Sequence, residues 1–249
     1  MRAGPGSFLG VRVGFGVGTS LGNLGPIPDA AGFVWFRSGM DCAGLEGRLG
    51  EDSAGMGTLK TGGAVRVEGA EFFVRLLRTR LPFRYGITEM TEVPHLWVRA
   101  RVRVGGRAVV GYAGDHLPPK WFTKNPGTSF EEDLAGMQRS IGAAFGRAVE
   151  AGQAESVFEL WQRVYEGQHR WAAGIGMEAL LAGFGVSLVE RVCIDAVCRD
   201  LGRPFGSVLR EGGFGLRVEE VHPVLSGVGN FLPEKPVRSI FVRHTVGMG

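Results

Sequence analysis

Residues 95–104 read His-Leu-Trp-Val-Arg-Ala-Arg-Val-Arg-Val, and they constrain the fold more than any other stretch of the chain. In an extended backbone, Leu96, Val98, Ala100, Val102 and Val104 share one face, while Trp97, Arg99, Arg101 and Arg103 share the other. A period of two belongs to a strand that buries one face and wets the other, which is the habit of antiparallel sheets. Gly105-Gly106 follows, and glycine tolerates the positive φ that a two-residue hairpin turn demands. Residues 107–113 then return as the partner strand. Upstream, residues 65–80 are rich in β-branched and aromatic side chains and read as a third strand. The intervening residues 81–93 read as a loop.

Helical spacing takes over downstream. Thr128-Ser129-Phe130-Glu131 carries a hydroxyl with a Glu three positions on, the pattern of a capping box. Leu134, Met137, Ile141, Phe145 and Ala148 recur behind it at helical intervals. Phe158, Trp161 and Tyr165 mark a second helix. Ser187 and Glu190 form another capping-box pattern ahead of a stripe of Leu188, Val192, Cys193, Ala196 and Val197. Gly202 and Pro204 stop that helix. Three antiparallel strands followed by a helical bundle predict an α+β domain over residues 64–235. Residues 1–63 are glycine-rich without a sustained period. They are expected to lie outside the folded domain, with Met56 as the expected true start. Residues 237–245 read as one further strand near the end of the chain.

Composition removes several classes. Net charge is +3, and no dense basic stripe is present, so a nucleic-acid partner is not expected. No apolar run reaches the roughly 20 residues of a membrane span. The three cysteines, Cys42, Cys193 and Cys198, make no paired framework, which predicts a reduced, cytoplasmic setting. The five histidines are scattered without ligand spacing, so no metal site is assigned within the chain. The glycines at 14, 16, 18 and 22 do not fit a phosphate-binding loop. Glu190 and Asp195, five positions apart, fall on different faces of a helix and make no acid–base pair.

Taken in order, several motifs resemble the enolase superfamily of the mandelate racemase and muconate-lactonizing type. Arg80-Leu81-Pro82-Phe83-Arg84-Tyr85-Gly86 resembles the exit from the first strand of that family's N-terminal capping domain. Val110-Gly111-Tyr112-Ala113-Gly114-Asp115 resembles the close of its third strand, with Asp115 where Glu is commoner. The run from Val189 to Arg199, followed by Gly202-Arg203-Pro204-Phe205, resembles its last cap helix. Phe241-Val242-Arg243-His244-Thr245-Val246-Gly247 is similar to a first barrel strand, so residues 236–249 are expected to start a truncated β/α barrel.

The resemblance implies a parent enzyme whose barrel carries a Lys or His base and Mg²⁺. Such an enzyme abstracts a proton alpha to a carboxylate, as a dehydratase, racemase or cycloisomerase. A barrel takes roughly 200 residues or more, so no catalytic base and no metal ligand is carried over to this chain. The fragment alone is expected to be inactive. Its expected partners are a small carboxylate-bearing substrate, its own missing barrel and, at full length, further copies of itself. The resemblance makes residues 81–93 and 115–128 the loops that close over the substrate. They offer Phe83, Arg84 and Tyr85, and His116, Lys120 and Trp121. Arg84 and Lys120 are the cations expected to face an acid. The competing expectation is a non-catalytic α+β module that binds a small acid or a protein partner.

Overall fold

A computed structural model of the chain describes residues 8–12, 35–37, 63–227, 232–233, 235 and 239–242. The predicted α+β order is present. Three long antiparallel strands, β3 (Val65–Tyr85), β4 (Thr88–Val104) and β5 (Arg107–His116), precede four α-helices among the described residues. The helices are α1 (Phe130–Glu150), α2 (Val157–Gly174), α3 (Ala179–Leu201) and the short α4 (Phe205–Arg210). Two short strands, β1 (Phe8–Arg12) and β2 (Trp35–Arg37), extend the sheet beyond β3 in the order β2-β1-β3-β4-β5. Both fall within residues 1–63, the stretch expected to lie outside the folded domain. Strands this short carry too few positions for alternation to show; β1 pairs with the edge of β3, and β2 pairs with β1. Met56 lies outside the described residues.

The faces of β4 fall as its period of two requires. Leu96, Val98, Ala100, Val102 and Val104 are buried, and Trp97 and the arginines face outward. Gly105 and Gly106 both take positive φ, at 54° and 85°, and close the β4–β5 hairpin. On the outer face Arg99 pairs with Glu71 and Arg103 with Glu68, across the β3–β4 ladder. The arginine row is therefore largely matched within its own sheet.

Helices α1 and α3 cover the buried face, and α2 packs on both of them. Val65, Val67 and Phe72 of the sheet meet Met137, Ile141 and Phe145 of α1 and Val189, Val192 and Ala196 of α3 in one core. Phe72 sets its ring edge-on against Phe145 at 5.1 Å. At Gly111 the sheet comes so near to α3 that an added Cβ would sit 2.0 Å from the Val192 carbonyl oxygen.

Three sequence expectations shift. The cap of α1 is Ser129 with Glu132, one residue beyond the Thr128–Glu131 reading, and both halves of the capping box are formed. Ser187 opens no helix. It lies inside α3, which begins eight residues earlier at Ala179, and its hydroxyl donates to the Phe184 carbonyl at 2.8 Å. Residues 81–93 are no loop. β3 and β4 continue as a paired hairpin to a tight turn at Gly86-Ile87, with a register shift between Arg78 and Phe83. The stop of α3 is as predicted, with Gly202 in the left-handed region at φ 62°. Of the strand expected over residues 237–245, only 239–242 are described. They are irregular, with Ile240, Phe241 and Val242 exposed.

Candidate functional site

The tip of the β3–β4 hairpin folds toward the segment between β5 and α1. Tyr85 fixes this approach: its hydroxyl donates to the Pro119 carbonyl at 2.6 Å, and its ring meets Trp121 edge-on at 5.5 Å. Phe83 also packs against Tyr85, with ring centroids 5.7 Å apart and the planes tilted by 36°. Burial, with a smaller push from the Asp133 carboxylate, raises the Tyr85 phenol above its ordinary value of 10.0. The post-β5 segment is itself anchored. Leu117 is fully buried and donates its backbone N–H to Pro94 at 2.8 Å.

Facing these residues are one side of α2 and the first turns of α3. Together they enclose an open groove of about 850 Å³, within the range of small-molecule sites. Phe83, Tyr85 and Met90 come from the hairpin, Asp115 and His116 from the end of β5, and Trp121 and Phe122 from the segment after it. Tyr165 and His169 come from α2, and Leu180, Phe184 and Ser187 from α3. Phe122 lies on Phe184 at 4.6 Å, and Trp161, Tyr165 and His169 stack along α2 at 5.2 and 4.2 Å.

Four of the six sequence-predicted site residues therefore meet on one groove: Phe83, Tyr85, His116 and Trp121. The two cations do not line it. Arg84 points away and pairs with Glu89 across the hairpin, with its side chain 73% exposed. Lys120 is turned inward, 12% exposed, against Asp133 at 3.1 Å and the Thr128 carbonyl and hydroxyl. The expectation that these two cations face an acid is not matched by their placement. Each has found a carboxylate of its own chain first.

Asp115 lies on the groove wall and is paired with Arg191 of α3 at 2.7 Å. Beside it the His116 and His95 rings pack at 4.6 Å. Burial and the neighbouring His116 lower the His95 imidazole below its ordinary 6.5, against a weaker opposing pull from Asp115. His95 Nδ1 and His169 Nε2 are buried without a hydrogen-bond partner. An unpaired buried nitrogen costs about 1–3 kcal/mol.

Sequence reading missed the helical half of the groove. In sequence Tyr165 only helps mark the second helix, and His169 follows it four residues on. Leu180 and Phe184 lie four apart in the part of α3 that was not assigned to a helix.

Among the described residues no group of three or more His, Cys, Asp or Glu is placed to hold a metal ion. The Mg²⁺ that the resemblance implies belongs to the parent's barrel, outside this chain. No described helix is long and apolar enough to cross a membrane. Cys193 is buried, and burial, helped by Glu190, pushes its thiol up to about 12, which leaves it inert.

No protein-family profile matches the chain, and no curated protein matches it. Solved structures do. One is an enolase from alpha pretobacterium bal199 with bound Mg, at 15% identity and a TM-score of 0.37, covering 60% of this chain and 34% of that one. Another is a mandelate racemase/muconate lactonizing enzyme-like protein from Rubrobacter xylanophilus, at 18% identity and a TM-score of 0.37, covering 57% of this chain and 33% of that one. The chain spans about a third of the length of each of these two structures.

Proposed function

We propose that this chain is the N-terminal substrate-capping portion of a Mg²⁺-dependent lyase or isomerase that abstracts a proton alpha to a carboxylate. The observation that carries the reading is the groove. The resemblance alone makes residues 81–93 and 115–128 the closing loops, and Phe83, Tyr85 and Met90 of the first meet His116, Trp121 and Phe122 of the second on one concave surface. A lid of this kind covers the reacting end of a substrate, excludes water and adds contacts that select among substrates. The metal and the base belong to the barrel of the parent enzyme. When bound in that barrel, Mg²⁺ would supply positive charge opposite the substrate carboxylate. This chain contributes walls, not proton transfer, and by itself it is inactive.

The test is isotope exchange. The full-length product of the same gene, incubated with Mg²⁺ in D₂O and a panel of α-hydroxy and polyhydroxy acids, is expected to exchange the alpha proton of at least one. This chain alone is expected to exchange none. Absence of exchange by the full-length product across the panel contradicts the reading.

A second reading, a non-catalytic binding module, draws on the concave, largely aromatic groove lined by the hairpin, the end of β5 with the segment after it, α2 and α3. It predicts ligand binding by the isolated chain and no exchange by any longer product.

A further inference from the structure

We infer that the groove takes an uncharged, aromatic part of a ligand and leaves the anionic end outside it. The inference rests on the capping reading only for what lies beyond the groove. The wall chemistry stands on its own.

Charge gives the first argument. The groove walls include no Lys or Arg, and their one carboxylate is Asp115. The nearby cations are engaged: Arg84 by Glu89, Lys120 by Asp133, and Arg191 by Asp115. An acid entering the groove would lose water and meet a carboxylate rather than a free cation, and an unpaired buried charge is costly. Two wall hydroxyls are already engaged, Tyr85 on Pro119 and Ser187 on Phe184, and the other polar groups, Asp115, His116, His169 and the Tyr165 hydroxyl, are outnumbered by rings.

Shape gives the second argument. Six aromatic side chains line the groove: Phe83, Tyr85, Trp121, Phe122, Tyr165 and Phe184. They come from the hairpin, the post-β5 segment and two helices, so rings face the space from several sides. Trp121 and Tyr165 are 52% and 40% exposed, so large apolar surfaces stand open to water at the mouth. A planar apolar group buries those surfaces and adds ring–ring contacts of about 0.5–1.5 kcal/mol each.

The experiment compares two probes on the ¹⁵N-labelled chain: 4-methylphenol, a neutral aromatic, and gluconate, a polyhydroxy acid. The readout is the indole N–H signal of Trp121, assigned with Trp121→Phe. Trp97, 51% exposed on the outer face of the sheet, is the internal control. The expected result is a saturable shift of Trp121 with 4-methylphenol, at least about tenfold tighter than with gluconate, with Trp97 unmoved. Tyr165→Ala, a substitution at an exposed position whose folding circular dichroism checks, weakens that binding. The inference is overturned if gluconate binds as well as 4-methylphenol, if Trp97 and Trp121 shift alike, or if Trp121 does not respond. Such a failure leaves the capping reading standing. Conversely, loss of the capping reading through the isotope-exchange test leaves a positive binding result intact.

Discussion

Lys120 holds φ at 55°, a backbone state that costs a non-glycine residue about 1–3 kcal/mol. Its backbone N–H and its ammonium both reach Asp133, and Thr128 takes the rest. The pair is nearly closed to water, so breaking it strands the Asp133 carboxylate. Lys120→Met is therefore expected to lower stability by about 3 kcal/mol in urea unfolding and to loosen Trp121 next to it. Arg84→Ala, at an exposed pair, is expected to cost less than about 1 kcal/mol. Equal costs for the two variants would contradict this account. Sequence showed both residues as cations in candidate loops and could show no more. Their partners, Glu89 and Asp133, are set by strand register and by the docking of α1. Glu190 gives a second residue-scale prediction. Burial, only partly opposed by Arg191, raises its carboxyl above 4.5. A raised carboxylate favours folding fully below its unfolded value and loses that contribution as pH rises through the folded one. Glu190→Gln is neutral throughout. It is expected to raise the melting temperature at pH 7, with the gain fading as pH falls through the folded value and absent below about pH 4.5.

Helix starts separate what local pattern reveals from what it hides. Ser129 and Ser187 each precede a Glu by three, yet only Ser129 caps a helix. Ser129→Ala is expected to cost about 1 kcal/mol. Ser187→Ala, which removes a hydroxyl bonded within a helix, is expected to cost less. Thermal melts of the two variants measure the difference. The true start of α3 was hidden because Leu181, Phe184, Val186 and Leu188 are buried on several sides of the helix. Such a helix lacks the polar stripe that makes periodicity visible. Strand β4 is the opposite case: one wet face and one dry face wrote its register into the sequence. The hairpin tip was misread because the register shift after Arg78 breaks that alternation. Close contact between elements was not legible at all. Gly111 sits against the Val192 carbonyl, and Gly111→Ala is expected to push β5 from α3 at a cost of about 1–3 kcal/mol or more. A melting temperature unchanged by that substitution would contradict the packing described.

At the scale of the molecule, the sheet and three helices make a platform, and the groove lies at one end where the long hairpin overhangs it. The aromatic members of both candidate loops could be read from sequence, because Phe83, Tyr85 and Trp121 are conspicuous in short polar contexts. The opposing wall could not, since Tyr165, His169 and Phe184 look like ordinary helix-core residues until α2 and α3 are set side by side. The central claim is that this platform is a lid and that the chemistry belongs to a barrel beyond it. Determining the nucleotide sequence past the codon for Gly249 in the native gene tests that most directly. The account predicts an open frame of roughly 200 further residues, with a Lys or His base and spaced Asp and Glu at successive strand ends. A frame that ends without a barrel would contradict it and leave a binding module in its place.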